Sequence, residues 1–161
     1  MGQDTFLKIE GIKGDVTDAK FSGCIEISNF SFDVSNIEDA LLKTDERLEG
    51  ATVSAVSISK KVDKSSADLL KASCKNEELG TCNIYFCRPK GAFGSSSGLE
   101  AYMTFTLEST AIESYNINGG SGYPTESLSL QFSSLEWNIK DEKGQTSGSG
   151  KYTRPESKLE G

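Results

Sequence analysis

The sequence contains no histidine, and this absence excludes several kinds of active site. Ser-His-Asp and Cys-His triads need an imidazole as their general base. Zinc sites of the usual ligand spacing need histidines or closely spaced cysteine pairs. The four cysteines, at positions 24, 74, 82 and 87, form no Cys-x-x-Cys pair. We therefore expect no catalytic triad, no metal site and no bound cofactor.

The same cysteines are expected to be reduced, buried thiols that pack as small hydrophobic side chains. A Cys74–Cys82 or a Cys82–Cys87 disulfide is the alternative, which a cytoplasmic origin disfavours. The redox state of Cys24, Cys74, Cys82 and Cys87 stays open at this stage.

Long apolar runs and basic clusters are also missing. No apolar run approaches the roughly 20 residues that span a membrane. The first residues, MGQDTFLKIEG, have neither the basic region nor the apolar core of a signal peptide. We expect a chain that is made in the cytoplasm and secreted, if at all, without a cleaved signal peptide. The net charge of −7 disfavours nucleic acid and membrane insertion.

Paired carboxylates are the remaining route to catalysis in this composition. Glu108 with Glu113, or Glu126 with Glu136, would be brought together by pairing of two long strands. An acid–base pair also needs a pocket that shifts one pKa, and no motif marks such a pocket. Chance pairs are expected among 24 acidic residues. The sequence therefore predicts that the protein is not an enzyme.

The stretch Val56–Cys74 changes from the period of a strand to that of a helix. Apolar residues first alternate with serines, which is typical of a half-buried strand. Ser65 and the serine after it then offer a helix N-cap, and Asp68 suits the first turn. The sequence predicts a mainly β protein with one helix, about Ser65–Lys75, and a long charged loop, about Asn36–Thr52.

Two long strands shift their alternation midway. Ile25 and Ile27 are out of phase with Phe30, and Leu128 is out of phase with Leu135. One extra residue near positions 28–29 and another near 133–134 would restore the phase, which is what a β-bulge does. Burial of the first strand on both faces, once against a neighbouring subunit, is the alternative.

Short polar side chains alternate with the apolar ones on these strands. They are Ser31, between two phenylalanines, and the row Ser127, Ser129, Gln131 and Ser133. Such a row faces either bulk water or a wide, wet passage. The chain reads as a single domain, residues 1–161, in which the polar, glycine-rich segment 141–161 is expected to be a mobile C-terminal tail. The loop is expected to be either a contact surface or simply mobile.

Four segments in order resemble Hcp, the haemolysin-coregulated protein family of bacterial type VI secretion. They read DTFLKIEGIKGDVTD, IEISNFSFDVS, ISKKVDKSSADLLKASC and YMTFTLESTAIESYNINGGSGYPTESLSLQFSSLEW, between Asp4 and Trp137. The most specific parts are KKVDKSSADLLKA and PTESLSLQFSSLEW. The chain departs from the family in having Phe30 and Phe32 where tryptophans are common, and in its charged, leucine-bearing loop.

This resemblance implies a small β-barrel of two antiparallel sheets with the helix outside. It also implies a homohexameric ring that stacks into a secreted tube, with a contractile sheath, a spike protein and effector proteins as partners. Ser31, Ser127, Ser129, Gln131 and Ser133 are then candidates for effector contact in the lumen. The candidates for contact with the next ring are loop residues Asp39, Leu41, Leu42, Lys43, Asp45, Arg47 and Glu49.

Other functions stay open at this point. One is a monomeric secreted effector or binding module that uses the same fold without forming tubes. A phage-type tail tube protein is a close structural cousin of the ring. A third is an extracellular, disulfide-bearing β-sandwich that binds a carbohydrate or a receptor.

Overall fold

The computed structural model describes residues 4–18, 20–36, 51–89, 99–141, 143 and 145–153. Within these ranges the chain forms eleven strands and one helix. In chain order they are β1 Asp4–Ile9, β2 Ile25–Ile27, β3 Asn29–Ser31, β4 Val34–Asn36, β5 Ala51–Val53, β6 Val56–Lys61, α1 Ser66–Lys75, β7 Glu78–Pro89, β8 Leu99–Asn118, β9 Thr125–Gln131, β10 Ser134–Lys140 and β11 Thr146–Thr153. The prediction of a mainly β protein with one helix is confirmed.

Nine of the described strands form one antiparallel sheet, and β4 and β5 pair separately. The order is β2-β1-β7-β8-β9-β6-β3, with β10 and β11 attached through β8. The first half of β8 pairs with β7 and β10, and its second half pairs with β9. Between the halves, Ser109 has a φ of 51°, which bends the strand. The two predicted sheets are thus two halves of one sheet that share β8.

The edge strands of this sheet, β2 and β3, are separated along the chain only by Ser28. The sheet therefore curls until its two edges meet, although no ladder joins β2 to β3 within the described residues. The backbone N–H of Ser28 donates to the carbonyl of Ser59 at 2.8 Å, which ties the crossing point to β6. The predicted barrel is an open, curled sheet.

The same crossing explains the shifted alternation, for which two β-bulges were expected. Near residues 28–29 the chain stops pairing with β1 and starts pairing with β6. Near residues 133–134 it stops pairing with β6 and with the second half of β8. It then pairs with the first half of β8 and with β11. The N–H of Ser133 donates to the Glu108 carbonyl at 2.9 Å at the second point. The phase changes because the strand changes partners, so the bulge interpretation is wrong there.

The segment 141–161, expected to be a mobile tail, contains strand β11. It pairs with β10 from Ser134↔Thr153 to Lys140↔Thr146, and Gly150 lies opposite Trp137. A Cβ atom on Gly150 would come within 2.5 Å of the indole, so glycine is needed at this position. Residues 154–161 lie outside the described part of the chain.

The core lies inside the curl, where alternate residues of the strands meet. Leu7, Ile84, Leu107 and Leu128 are each at most 2% exposed, and Leu69 attaches α1 to the same cluster. The predicted helix is confirmed, but the hydroxyl of Ser65 does not cap it. This hydroxyl donates to Asp63 instead.

Three of the cysteines, Cys24, Cys82 and Cys87, are buried free thiols, as predicted. Cys74 is also free but lies exposed on α1, so the expected burial is wrong there. Neither alternative disulfide is formed. No helix among the described residues is both long and apolar enough to cross a membrane.

Candidate functional site

One face of the sheet bears two parallel rows of short, uncharged polar side chains. One row crosses β3, β6, β9 and β8 at Ser31, Ser57, Ser129 and Ser114. The second row crosses the same strands at Asn29, Ser59, Ser127 and Asn116. Residues directly opposite in a ladder share a face, and so do residues two apart along a strand. We call these two rows the serine face.

The serine face exists because its strands alternate strictly. Strand β6 buries Val56, Ile58 and Lys60 and turns its two serines outward. Strand β9 likewise buries Glu126, Leu128 and Leu130 and leaves its serines exposed or half-buried. Hydroxyl and amide groups keep such a face wet without adding charge. The arrangement can hydrate a passing macromolecule while forming few strong contacts with it.

The structure brings together three of the predicted lumen residues, Ser31, Ser127 and Ser129. Gln131 continues the same side of β9 at its end and is half-buried opposite Ala111. Ser133 lies beyond β9, and its hydroxyl donates to the Glu108 carbonyl at 3.2 Å. It therefore belongs to the crossing between strands and not to the rows.

Sequence reasoning missed the other members of the serine face. Ser57 and Ser59 showed the alternation of a strand, but only the pairing register puts them beside the β9 serines. Asn29, Ser114 and Asn116 gave no separate signal, because their partners lie far away along the chain.

The predicted ring-stacking residues, Asp39 to Glu49, lie outside the described part of the chain. Their flanking strands are described: β4 and β5 pair antiparallel, with Val34 opposite Val53. The two ends of the segment therefore emerge next to each other.

Behind the serine face lies a buried ion pair. Lys60 on β6 is directly opposite Glu126 on β9, and both side chains are 0% exposed. Lys60 Nζ lies 3.1 Å from Glu126 Oε1 and 3.0 Å from Asp63 Oδ1. The hydroxyl of Ser66, the first residue of α1, donates to the other Glu126 oxygen. The pair therefore joins the sheet to the start of the helix.

Tyr115 on β8 borders this network. Burial and the negative charge of Glu126 raise the pKa of its hydroxyl to about 12. The network thus involves β6, β8, β9 and α1, and its position beneath the rows makes it a support for them. It faces the core and not solvent.

An apolar surface lies elsewhere, next to β4 and β5. It surrounds a cavity of about 360 Å³ lined by Phe32, Val34, Val53, Phe105, Leu135, Trp137, Ile139 and Tyr152. Val34 is 56% exposed and Ile139 is 38% exposed. Exposed apolar side chains grouped in this way are typical of a protein–protein contact. We call this the apolar patch.

Comparison with known proteins identifies a family to which the sequence is similar. The family model described as "Type VI secretion system effector, Hcp" matches residues 6–139. The chain belongs to the Hcp family. A search of curated proteins gives no match.

Solved Hcp structures share the fold over nearly the whole chain. A type VI secretion system effector from Yersinia pestis superposes with a TM-score of 0.73 at 20% identity, covering 94% of this chain and 100% of that one. Hcp1 from Salmonella typhimurium has a TM-score of 0.73 at 19% identity, covering 95% of each chain. Hcp3 from Pseudomonas aeruginosa has a TM-score of 0.65 at 18% identity, covering 96% and 99%. At these identities the likeness establishes the fold.

Proposed function

We propose that this Hcp protein is a structural component of type VI secretion. Six copies form a ring, the rings stack into the secreted inner tube, and the lumen of the tube carries effectors. The serine face is the observation that supports this most strongly. A lumen wall has to stay hydrated and must not hold cargo through fixed charges, and the two rows meet both needs. The protein acts as a conduit and not as an enzyme.

Ring closure needs an interface between different surfaces of neighbouring copies. The apolar patch suits one side of that interface, because burying apolar area contributes about 25 cal/mol per Å². Phe32 directly follows Ser31 along the chain and Val34 lies two residues further on, so contact made at the patch would fix the orientation of the serine face in the ring.

The partners follow from this role. They are other copies of the chain, the type VI sheath, the spike protein and the effectors. The chain leaves the cell as part of the tube.

Ser31→Arg tests the assignment of the lumen. Ser31 is exposed, so the substitution leaves the core and the ring intact, but it places a long charged side chain among uncharged ones. Effector co-purification is expected to fall sharply while the mass of the assembly stays the same. Thr81→Arg, on an exposed position of β7 outside the serine face, is the matched control. Unchanged effector recovery with Ser31→Arg would contradict the assignment.

The loop is proposed to contact the next ring. Deleting Glu38 to Glu49 should leave the ring and reduce stacking, which electron microscopy of concentrated protein measures. Loss of the rings themselves would show that the loop holds neighbours within a ring.

A further inference from the structure

A cavity lined by lysines lies on a different part of the molecule. Its volume is about 600 Å³, and it is bounded by β1, the segment before β2, β7, β8, β10 and the turn after β10. Four lysines line it, namely Lys8, Lys20, Lys140 and Lys143. They come from three separate parts of the chain, around residues 8, 20 and 140–143, so the fold gathers them. We call this the lysine cavity.

The described residues that line the lysine cavity have an excess of positive charge. Glu100 is the only acidic residue among those that line it, and Arg88 Nε lies 3.2 Å from this carboxylate. None of the four lysines has a carboxylate of a described residue within ion-pair distance. A protein with a net charge of −7 thus concentrates four of its 17 basic residues around one cavity.

The floor of the cavity is built from packed side chains. Phe21 is 6% exposed, and its ring centroid lies 5.3 Å from that of Tyr85. Tyr85 is directly opposite Thr104 in the β7–β8 ladder, so the two hydroxyl-bearing side chains are neighbours in the lining. Burial raises the pKa of the Cys24 thiol, and the positive charge of Lys8, which also lines the cavity, partly opposes this effect.

Phosphate groups match this combination better than carboxylates do. A phosphate has up to two negative charges and three strong acceptor oxygens, whereas a carboxylate has one charge. Lysine ammonium groups bind phosphate as point charges, and hydroxyls supply directed donors. The volume falls within the roughly 300–1,000 Å³ of small-ligand sites. An acidic peptide would instead need a groove that continues beyond the cavity.

We propose that the lysine cavity binds a small ligand that contains a diphosphate or triphosphate group. Lys8, Lys20, Lys140 and Lys143 neutralise the phosphates, and the hydroxyls of Tyr85 and Thr104 orient them. None of these residues belongs to the serine face.

The test is calorimetric titration of the full-length protein with pyrophosphate in low-salt, phosphate-free buffer. One site per chain is expected, and affinity should fall as salt is added. Lys8→Gln with Lys140→Gln should weaken binding at least about tenfold, because each substitution removes a charge-assisted hydrogen bond from a lysine to phosphate. Lys64→Gln with Lys71→Gln removes the same charge from exposed positions outside the cavity and should leave the affinity unchanged.

Glu100→Gln gives a second, opposite readout, because it removes the negative charge from the wall and should tighten binding. Circular dichroism and the mass of the assembly check that each variant is folded. The proposal is overturned if pyrophosphate shows no saturable binding, or if both lysine pairs lower the affinity equally. Binding of a hexaglutamate peptide without binding of pyrophosphate would also overturn it, in favour of an acidic protein partner.

Discussion

Breaking the buried pair behind the serine face is expected to destabilise the protein strongly, and unequally for the two partners. Lys60→Met leaves the Glu126 carboxylate fully buried without its cationic partner, although the Ser66 hydroxyl still donates to it. Glu126→Leu leaves the ammonium group 3.0 Å from Asp63, which is itself 12% exposed. Removing one member of a buried pair costs about 3–5 kcal/mol. We expect Lys60→Met near the upper end of that range and Glu126→Leu near the lower end.

Urea unfolding at a fixed protomer concentration measures these costs, with the fluorescence of Trp137 as the signal. The double variant Lys60→Met with Glu126→Leu should be less destabilised than the sum of the single variants, because it leaves neither charge of the pair unpaired. Glu100→Gln is the control, because it breaks an ion pair that is not fully buried. The side chain of Arg88 is 28% exposed and that of Glu100 is 22% exposed. For this partly exposed pair we expect a cost of less than about 1 kcal/mol.

Two results would contradict this expectation for the buried pair. If Glu126→Leu were the more damaging change, Asp63 would not be compensating Lys60. If the two single costs added to within about 0.5 kcal/mol in the double variant, the two side chains would not be energetically coupled.

Two further predictions concern packing and reactivity. Gly150→Ala should lower the free energy of unfolding by about 1–3 kcal/mol and alter the fluorescence of Trp137, because the new Cβ would overlap the indole. Gly148→Ala is the control, and it should change neither quantity because the space around Gly148 is open. Equal effects of the two substitutions would contradict the packing of Gly150 against Trp137. A thiol reagent at pH 8 should label Cys74 rapidly and the three buried cysteines only after unfolding, since burial raises the pKa of Cys87 to about 12. Because the folded state holds the buried thiol protons more tightly, the free energy of unfolding should fall as the pH rises above about 9; rapid labelling of Cys87 in the folded protein would contradict its burial.

Local sequence patterns predicted the elements whose determining residues lie close together along the chain. The helix was predicted within a residue of its observed start, because its serines, Asp68 and apolar face lie within a few turns. Alternation found Ser127 and Ser129 in the same way. It also located the breaks near residues 28 and 133, but it could not tell a bulge from a change of strand partner, since both shift the phase by one residue.

The features that the sequence did not reveal depend on distant partners. β11 is rich in glycine and serine and lacks an apolar alternation, so it is recognisable only when paired with β10. The sequence around Lys60 is typical of an exposed lysine. Only the strand pairing shows that Glu126, 66 residues later, lies opposite it. The lysine cavity likewise assembles residues from Lys8 to Lys143, and no local pattern marks it.

Light scattering on the purified protein tests the central claim, that this Hcp protein forms rings. We expect a mass near six times 17.3 kDa, with the serine face lining the enclosed passage. A mass of 17.3 kDa that persists at high concentration would contradict the ring. It would leave a monomeric secreted module on the Hcp fold, and the assignment of Ser31 to a lumen would be withdrawn with the ring.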